Sequence, residues 1–272
     1  MIPKPKHLGV EYASVFKDQR VVEAYQYRPM YPPEVFDILM SLVQQTDKPW
    51  RVLDAGCGTG FITRQLAPSV DEIDAVDFSE AMIATGKTLP GGDHPNIRWT
   101  HGAIEDASLR SSYSLIVAAA SFHWMEWEIV LPKFAQILCE TGYFAIVEDR
   151  ALPTPWDKEI GVIINRYSMN KEYVPYDIAE VMAALEQQGL FEQSGMTETQ
   201  PTLFQQTTAE WIESYHARNG FSRDRMAASD AAAFDQQMQE VINRYCQDGI
   251  VARSIKGRVL WGKPKAQRRT GE

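Results

Sequence analysis

The residues with the clearest chemistry stand in one short segment, 51–60, which reads R-V-L-D-A-G-C-G-T-G. The apolar pair before Asp54 is typical of a buried strand, and the three alternating glycines allow the sharp turn that follows it. A glycine loop also lets a ligand lie against main-chain N–H groups. Apolar residues at helical spacing in 61–67 predict a helix whose N-terminus faces that ligand. The segment therefore predicts a site for a nucleotide-like cofactor.

The spacing of the glycines narrows the choice of cofactor. A dinucleotide site has the pattern G-x-G-x-x-G, but here the third glycine comes one residue early, at Gly60. A P-loop is excluded because no G-K-[ST] follows the glycines.

A second acid stands where a ribose would be bound. Asp77 ends the next predicted strand, 21 positions after Gly56, and a carboxylate there accepts hydrogen bonds from two vicinal hydroxyls. The alternative role for Asp77 is a helix cap near Ser79. Phe78 is placed to cover an adenine face, while Met82 either contacts the adenine or packs in the core.

The pattern D-x-G-x-G-x-G at the end of a strand resembles motif I of the class I S-adenosylmethionine-dependent methyltransferases. The segment 101–106, H-G-A-I-E-D, is similar to the one that follows the third strand in that family. Relatives often have Asp where this chain has Ala103, so a backbone carbonyl, Glu105 or Asp106 must then hold the adenine amino group. The resemblance implies S-adenosylmethionine as cofactor and S-adenosylhomocysteine as product.

Three further segments resemble a subgroup of that family, the methyltransferase type 11 proteins that include trans-aconitate methyltransferase-like enzymes. They are F-H-W at 122–124, Y-R-P-M-Y-P at 27–32 and T-A-E-W-I at 208–212. The subgroup places Arg28 over the cofactor, where a guanidinium would grip the methionine carboxylate. The alternative for Arg28 is an ion pair with a surface acid.

Together, the loop chemistry and the family resemblance predict the residues that bind the cofactor. They are Arg28, Asp54, Gly56, Cys57, Gly58, Gly60, Asp77, Phe78, Met82, Ala103, Ile104, Glu105 and Ala119.

Methyl transfer is an in-line displacement that needs a general base only if the acceptor still carries its proton. His123 is the candidate catalytic residue because it follows the fourth strand at the carboxyl edge of the sheet. The alternative is that His123 holds its own turn through a backbone carbonyl.

Strands and helices alternate between 47 and 149, which predicts an α/β fold with a doubly wound parallel sheet. The family resemblance makes this a Rossmann-like, seven-stranded sheet with a helical cap. We expect one methyltransferase domain over 1–272, made of N-terminal helices (1–46), a cofactor-binding core (47–149), a helical cap that holds the acceptor (150–250) and a closing strand and tail (251–272). Within the cap, 151–196 shows little strand character, and the closing strands are predicted at 198–205 and 254–261.

Aromatic side chains after the fourth strand and in the predicted cap are available for an apolar or planar acceptor, although we expect more than half of them to fill the core of the cap. They are Trp124, Trp127, Trp156, Tyr173, Tyr176, Trp211, Tyr215 and His216. Arg150, Arg166 and Arg218 are available to bind a carboxylic acid, so an acidic acceptor stays open.

Composition and net charge limit the kinds of partner that this protein can have. The net charge is −9, from 27 basic and 36 acidic residues, which disfavours nucleic acid and anionic membranes as partners. Cysteines at 57, 139 and 246 lack the spacing of a disulfide framework or a metal site. We expect a cytoplasmic monomer or homodimer that methylates a small molecule and holds no metal. A non-methylating enzyme on the same fold, such as a cyclase, and a non-catalytic cofactor-binding protein are the alternatives.

Overall fold

The fold is described from a computed structural model, which covers Lys4, 6–174 and 177–266. The N-terminal helices are α1 (Val10–Ala13), α2 (Gln19–Ala24) and α3 (Pro33–Val43). The central elements are β1 (Arg51–Ala55), α4 (Phe61–Leu66), β2 (Glu72–Asp77), α5 (Glu80–Thr88), β3 (Ile97–His101), β4 (Tyr113–Ala119), α6 (Trp127–Ile137) and β5 (Leu138–Ala151). The C-terminal elements are α7 (Asp157–Tyr167), α8 (Ile178–Gln187), β6 (Phe191–Glu198), β7 (Thr202–Thr207), α9 (Thr208–His216), α10 (Ala228–Ile242) and β8 (Ile250–Pro264).

The described strands form one eight-stranded sheet in the order β3-β2-β1-β4-β5-β8-β6, with β7 also paired to β8. Strands β1 to β5 are parallel, and β8 runs antiparallel to β5. The strand order reverses between β1 and β4, so the connections after these two strands leave on opposite faces. A crevice therefore opens at their carboxyl ends, which is where ligands bind in doubly wound folds. The predicted doubly wound sheet is confirmed.

The edge of the sheet beyond β8 differs from the prediction. The single strand predicted at 198–205 is wrong, because β6 and β7 pair in succession along β8 and break at 199–201. At the break, Thr199 and Gly257 exchange hydrogen bonds: the Thr199 N–H donates to the Gly257 carbonyl (2.8 Å), and the Gly257 N–H donates to Thr199 Oγ1 (2.9 Å). The segment 151–196, predicted to have little strand character, contains most of β6 at its end. Its side chains are largely exposed, so no apolar alternation marks the strand.

Apolar layers cover both faces of the sheet. On one face, α3 and α4 bury Val35, Leu39 and Ile62 against β1 and β4. On the other face, α6 and α8 bury Phe134 and Met182 against the same strands and β5. Both faces of the parallel strands are thus closed to water, which explains why β4 is apolar along its length rather than alternating.

A third apolar core lies in the C-terminal part of the chain. Helices α7, α9 and α10 pack around Phe234, which is fully buried with Trp211 and Tyr215 beside it. Helix α8 belongs instead to the main core, and β6 and β7 belong to the sheet. The predicted cap boundary of 150–250 is therefore too broad, and the cap consists of α7, α9, α10 and their loops.

The N-terminal helices connect the cap to the sheet. Helix α2 contacts both α5 and α9, and Val21 and Val22 pack against Met82 of α5. Asp18, just before α2, accepts two hydrogen bonds from the Arg225 guanidinium at 2.6 and 2.9 Å. These contacts place the N-terminal segment over the carboxyl edge of β1 and β2. Among the described helices, none has the length and apolarity needed to cross a membrane.

Candidate active site

The glycine loop after β1 has the strained conformation that its composition predicts. Gly56, Gly58 and Gly60 all have positive φ, at 71°, 54° and 73°. A Cβ on Gly56 would come within 2.6 Å of the Ser121 side chain. The atoms nearest to a Cβ on Gly58 would be those of the Tyr25 phenol, at 3.8 to 3.9 Å, so a larger side chain there would enter the space between the loop and Tyr25.

Asp77 is buried beside this loop and holds it in place. Its Oδ2 accepts a hydrogen bond from the Gly58 N–H (2.7 Å), and its Oδ1 accepts one from the Ser79 N–H (2.8 Å). Burial raises the pKa of the Asp77 carboxyl above its ordinary value, while the two N–H groups favour its charged form. Each oxygen still has a lone pair that can accept from a hydroxyl. The carboxylate thus fixes the loop and also lines a cavity.

The loop after β4 forms the opposite side of the crevice. Ala120 has φ +49°, and its N–H donates to the Val147 carbonyl (2.9 Å). The Ser121 hydroxyl donates to the Ala55 carbonyl at 2.6 Å, which ties this loop to the end of β1. A single 3₁₀ turn, Phe122–Trp124, follows and turns His123 and Trp124 toward the crevice.

One cavity of about 720 Å³ extends from the glycine loop to the cap. Its floor is formed by the ends of β1, β2 and β4, and its roof by the N-terminal segment and the loops of the cap. Of the predicted cofactor-binding residues, those that line it are Arg28, Gly56, Gly58, Asp77, Phe78, Met82, Ala103, Ile104, Glu105 and Ala119. The predicted catalytic residue His123 lines the same cavity.

Three of the predicted cofactor-binding residues, Asp54, Cys57 and Gly60, do not line the cavity. Asp54 Oδ2 accepts hydrogen bonds from the backbone N–H (3.1 Å) and hydroxyl (2.6 Å) of Thr63, so it caps the first turn of α4. Gly60 is required by packing, since a Cβ there would lie 2.3 Å from the Trp99 ring. The early third glycine is therefore required by the approach of the Trp99 ring.

Cys57 is buried behind the loop, and burial raises the pKa of its thiol well above the ordinary value. This environment disfavours the thiolate, which is the nucleophilic form of cysteine.

A short loop after β3 carries the residues predicted to hold the adenine. Ile104 is buried, and Glu105 accepts a hydrogen bond from the Glu126 N–H at 2.9 Å. Lys133 of α6 donates to the carbonyls of Ile104, Glu105 and Ala107 at 3.0, 2.9 and 2.8 Å. Lys133 thus shapes this loop, a role that no pattern in the sequence indicated. Lys133 occupies the carbonyls of Ile104 and Glu105, and the Ala103 carbonyl accepts from the N–H groups of Asp106 and Ala107 at 3.1 and 3.0 Å. The Glu105 side chain is therefore the acceptor that this loop offers to the cavity.

Arg28 and Tyr25 form the roof over the glycine loop. The Arg28 guanidinium lies 5.5 Å from the centre of the Tyr25 ring and 4.0 Å from Asp149 Oδ1. Arg28 therefore lines the cavity and also approaches an acid, while its grip on the methionine carboxylate stays a prediction. Tyr25 lines the cavity too and is a residue that the sequence did not indicate.

The aromatic residues predicted for the acceptor pocket divide into two groups. Trp124 and Tyr173 line the cavity. Trp127 lies in the main core, while Trp156, Trp211 and Tyr215 lie in the cap core, as expected for the majority. His216 is buried under α10 and does not line the cavity. Tyr176 lies outside the described residues.

Polar residues line the cap end of the cavity. They come from the loop after α7, with Ser168, Asn170 and Lys171, and from the loop after α9, with Arg218 and Asn219. The two loops are joined where the Met169 N–H donates to the Gly220 carbonyl at 2.9 Å. Of these residues only Arg218 was a candidate from the sequence, because the others carry no periodic or motif signal.

Comparison with known proteins agrees with this geometry. Residues 52–142 match the family model of a methyltransferase domain. The chain is 37% identical over 86 residues to a malonyl-[acyl-carrier protein] O-methyltransferase of Halalkalibacterium halodurans, covering 29% of this chain and 31% of that one. It is 30% identical over 148 residues to an uncharacterised methyltransferase of Mycobacterium bovis, covering 53% and 57%. The chain thus spans about a third to somewhat over half of these relatives.

Solved structures share the fold over most of the chain. A candidate type II methyltransferase of Anaeromyxobacter dehalogenans has a TM-score of 0.59 at 19% identity and covers 87% of this chain and 97% of its own. A methyltransferase of Geobacter sulfurreducens, solved with S-adenosylhomocysteine, has a TM-score of 0.53 at 14% identity and covers 94% and 98%. The sheet order, the glycine loop and the matched residues 52–142 thus agree with the methyltransferase domain that motif I predicted.

Proposed function

We propose that this protein transfers a methyl group from S-adenosylmethionine to a small-molecule acceptor. The observation that carries the proposal is the single cavity in which the glycine loop and Asp77 lie at one end and the polar loops of the cap at the other. A cofactor on the loop and an acceptor under the cap would share one enclosed space. Such an arrangement holds reactants together and excludes water, which is most of what methyl transfer requires.

The residues present fit the proposed cofactor. Gly58 leaves its backbone open below Tyr25. Asp77 lines the same cavity, and its spacing from the glycine loop is that of an acid whose two carboxylate oxygens bind a ribose. Phe78 and Ile104 are apolar surfaces for an adenine ring, and Arg28 is the guanidinium available for a carboxylate. When bound there, the cofactor supplies an electrophilic methyl group on a sulfonium.

His123 is our candidate for the group that accepts the proton of the acceptor as its nucleophilic atom is methylated. It stands on a rigid turn fixed by the Ser121–Ala55 hydrogen bond, beside Trp124 at a ring separation of 4.8 Å. A base held in this way meets its substrate at a constant position, as general-base catalysis requires. The rest of the rate enhancement comes from the positioning of the two reactants in the cavity.

The acceptor is held by the cap and not by the sheet. The curated relatives named above include enzymes whose acceptor is malonyl-[acyl-carrier protein], so a small acyl group is one chemistry to test here. We propose a free small molecule, because loops of the cap and the N-terminal segment roof the cavity.

Methyl transfer is tested with methyl-labelled S-adenosylmethionine and a small-molecule fraction of cell extract. The expected result is label in at least one small molecule, with formation of S-adenosylhomocysteine in equal amount. A protein that binds S-adenosylhomocysteine but labels nothing from any extract would overturn the proposed activity and leave the cofactor site standing.

The role of His123 is tested separately with His123→Gln, which keeps the side chain's size and polarity. We expect turnover to fall by about 100-fold or more, while S-adenosylhomocysteine affinity changes less than twofold. Full turnover in this variant would remove His123 from the mechanism without affecting the methyltransferase assignment.

A further inference from the structure

Three polar atoms at the cap end of the cavity have no hydrogen-bond partner among the described residues, although they are buried. They are Arg218 Nε, Asn219 Nδ2 and Asn170 Oδ1. All three side chains line the cavity, and Asn170 is only 7% exposed. Buried polar groups are nearly always paired, so unpaired atoms on three side chains that line one cavity indicate a ligand that completes them.

The three side chains belong to one site. An ideal Cβ on Gly220, next to Asn219, would lie 3.4 Å from Asn170, and the two loops are joined by the Met169–Gly220 hydrogen bond. Gly220 has φ +100°, which lets the loop after α9 pass this close to Asn170. The fold therefore brings a guanidinium and two amides to the same stretch of wall.

Two cations, Lys171 and Arg218, line this part of the cavity. Of the two, only the Arg218 side chain has no hydrogen-bond acceptor among the described residues. Lys171 already donates to the carbonyls of Asn165 (3.2 Å) and Arg166 (3.0 Å) at the end of α7. Arg218 has no carboxylate within ion-pair distance in the described part of the chain, and its guanidinium lies 4.3 Å from the centre of the Tyr215 ring. That stacking orients the guanidinium but leaves its in-plane N–H groups available to donate.

The charges that line the cavity are distributed unevenly. The acids lie at the cofactor end and are Asp77, Glu105 and Glu126, whereas the residues that the cap contributes include two cations and no acid. Burial, with Arg28 and Arg253 nearby, lowers the pKa of Arg218, so an anion would relieve an unfavourable charge there.

We infer that Arg218, assisted by Asn219 and Asn170, binds an oxyanion of the methyl acceptor, which is therefore a carboxylate or a phosphate. The edge of the guanidinium donates two parallel hydrogen bonds to two oxygens, and the Asn219 amide donates a third. The Asn170 amide oxygen accepts from a hydroxyl or N–H of the same molecule. That the bound anion is part of the methyl acceptor rests on the proposed function. The anion site itself does not, because anion binding can be measured without turnover.

The test is equilibrium binding to the protein saturated with S-adenosylhomocysteine, with benzoate, phenyl phosphate and uncharged benzyl alcohol as probes. We expect one of the two anions to bind at least tenfold more tightly than benzyl alcohol, which also tells carboxylate from phosphate. Arg218→Gln should abolish that preference, whereas the control Arg166→Gln should keep it, since Arg166 is exposed and does not line the cavity. Equal binding of all three probes to the parent, or a preference that survives Arg218→Gln, would overturn the inference.

A third measurement excludes the other role open to Arg218, a grip on the carboxylate of the cofactor. Arg218→Gln should bind S-adenosylhomocysteine within twofold of the parent. A tenfold loss would assign Arg218 to the cofactor and overturn the acceptor subsite. If the parent transfers no methyl group to any acceptor yet shows the anion preference, the proposed function fails while the anion site stands.

Discussion

At the scale of single residues, Asp54 and Asp77 lie on neighbouring strands and have different surroundings. Asp77 faces the cavity and is held by two N–H groups. Asp54 faces α4, where its Oδ2 accepts two hydrogen bonds from Thr63 and its Oδ1 is buried without a partner in the described residues. Burial raises the pKa of Asp54 to about 7 despite the Thr63 hydrogen bonds that oppose the shift.

The Asp54→Asn variant tests this environment through the pH dependence of stability. Because the pKa of Asp54 is higher in the folded state than its ordinary value of 3.8, the folded state binds the extra proton between those two values. Asp54 therefore lowers the free energy of unfolding as pH rises from about 4 to 7, by no more than about 4 kcal/mol. Relative to the parent, Asp54→Asn should be more stable at pH 8 than at pH 5, as measured by urea unfolding.

The control for this prediction is Glu80→Gln, an exposed acid whose removal should give the same difference from the parent at both pH values. A difference between Asp54→Asn and the parent that is equal at pH 5 and pH 8 would show that Asp54 is fully ionised in the folded protein across that range.

Residue types and spacing predicted the cofactor end of the cavity better than the cap end. Asp77 and the glycines were predictable because the βαβ unit fixes their spacing along the chain. Asp54 and Gly60 lie outside the cavity wall, because the Asp54 carboxylate bonds to Thr63 of α4 and Gly60 is needed for the approach of the Trp99 ring. The motif shows neither of these contacts. Asn170 and Asn219 had no signal at all, since two loops 49 positions apart meet only when the cap folds.

At the scale of elements, the turn after β4 stores strain where it borders the cavity. Ala120 has φ +49°, a conformation that costs an L-residue on the order of 1–2 kcal/mol. Glycine at this position removes that cost and adds about 0.5–1 kcal/mol of chain entropy to the unfolded state. Ala118 lies two residues earlier in extended backbone, so it provides a matched site without the strain.

We therefore predict opposite results for the same substitution at two positions. Ala120→Gly should have an unfolding free energy equal to or above that of the parent, and Ala118→Gly should lose about 1 kcal/mol, both by urea unfolding. Equal losses at the two sites would mean that Ala120 is not strained in solution.

The elements that repeat the βαβ pattern were predictable, and those that close the sheet were not. Strands β1, β2 and β4 are buried on both sides, so their apolar runs are distinct in the sequence. Strands β6 and β7 lie at the edge with most side chains exposed, and the break between them depends on the Thr199–Gly257 pair. Such a tertiary contact leaves no local pattern.

At the scale of the whole molecule, three separately packed parts enclose one cavity. The sheet provides the floor, the N-terminal segment the roof over the glycine loop, and the cap the wall at the far end. Asp18 and Arg225 join the last two, and the Met169–Gly220 hydrogen bond closes the cap loops on each other. The sequence predicts that a cap exists, but the enclosure depends on contacts between loops far apart in the chain.

The central claim is that the glycine loop and Asp77 bind S-adenosylmethionine, and isothermal titration with S-adenosylhomocysteine tests it most directly. We predict one site per chain with micromolar affinity, a loss of at least about tenfold in Asp77→Asn, equal to about 1.4 kcal/mol, and no change in Glu80→Gln. Asparagine keeps the size of the side chain but offers one acceptor oxygen in place of two. Absence of binding to the parent, or equal affinity of Asp77→Asn and the parent, would contradict the account.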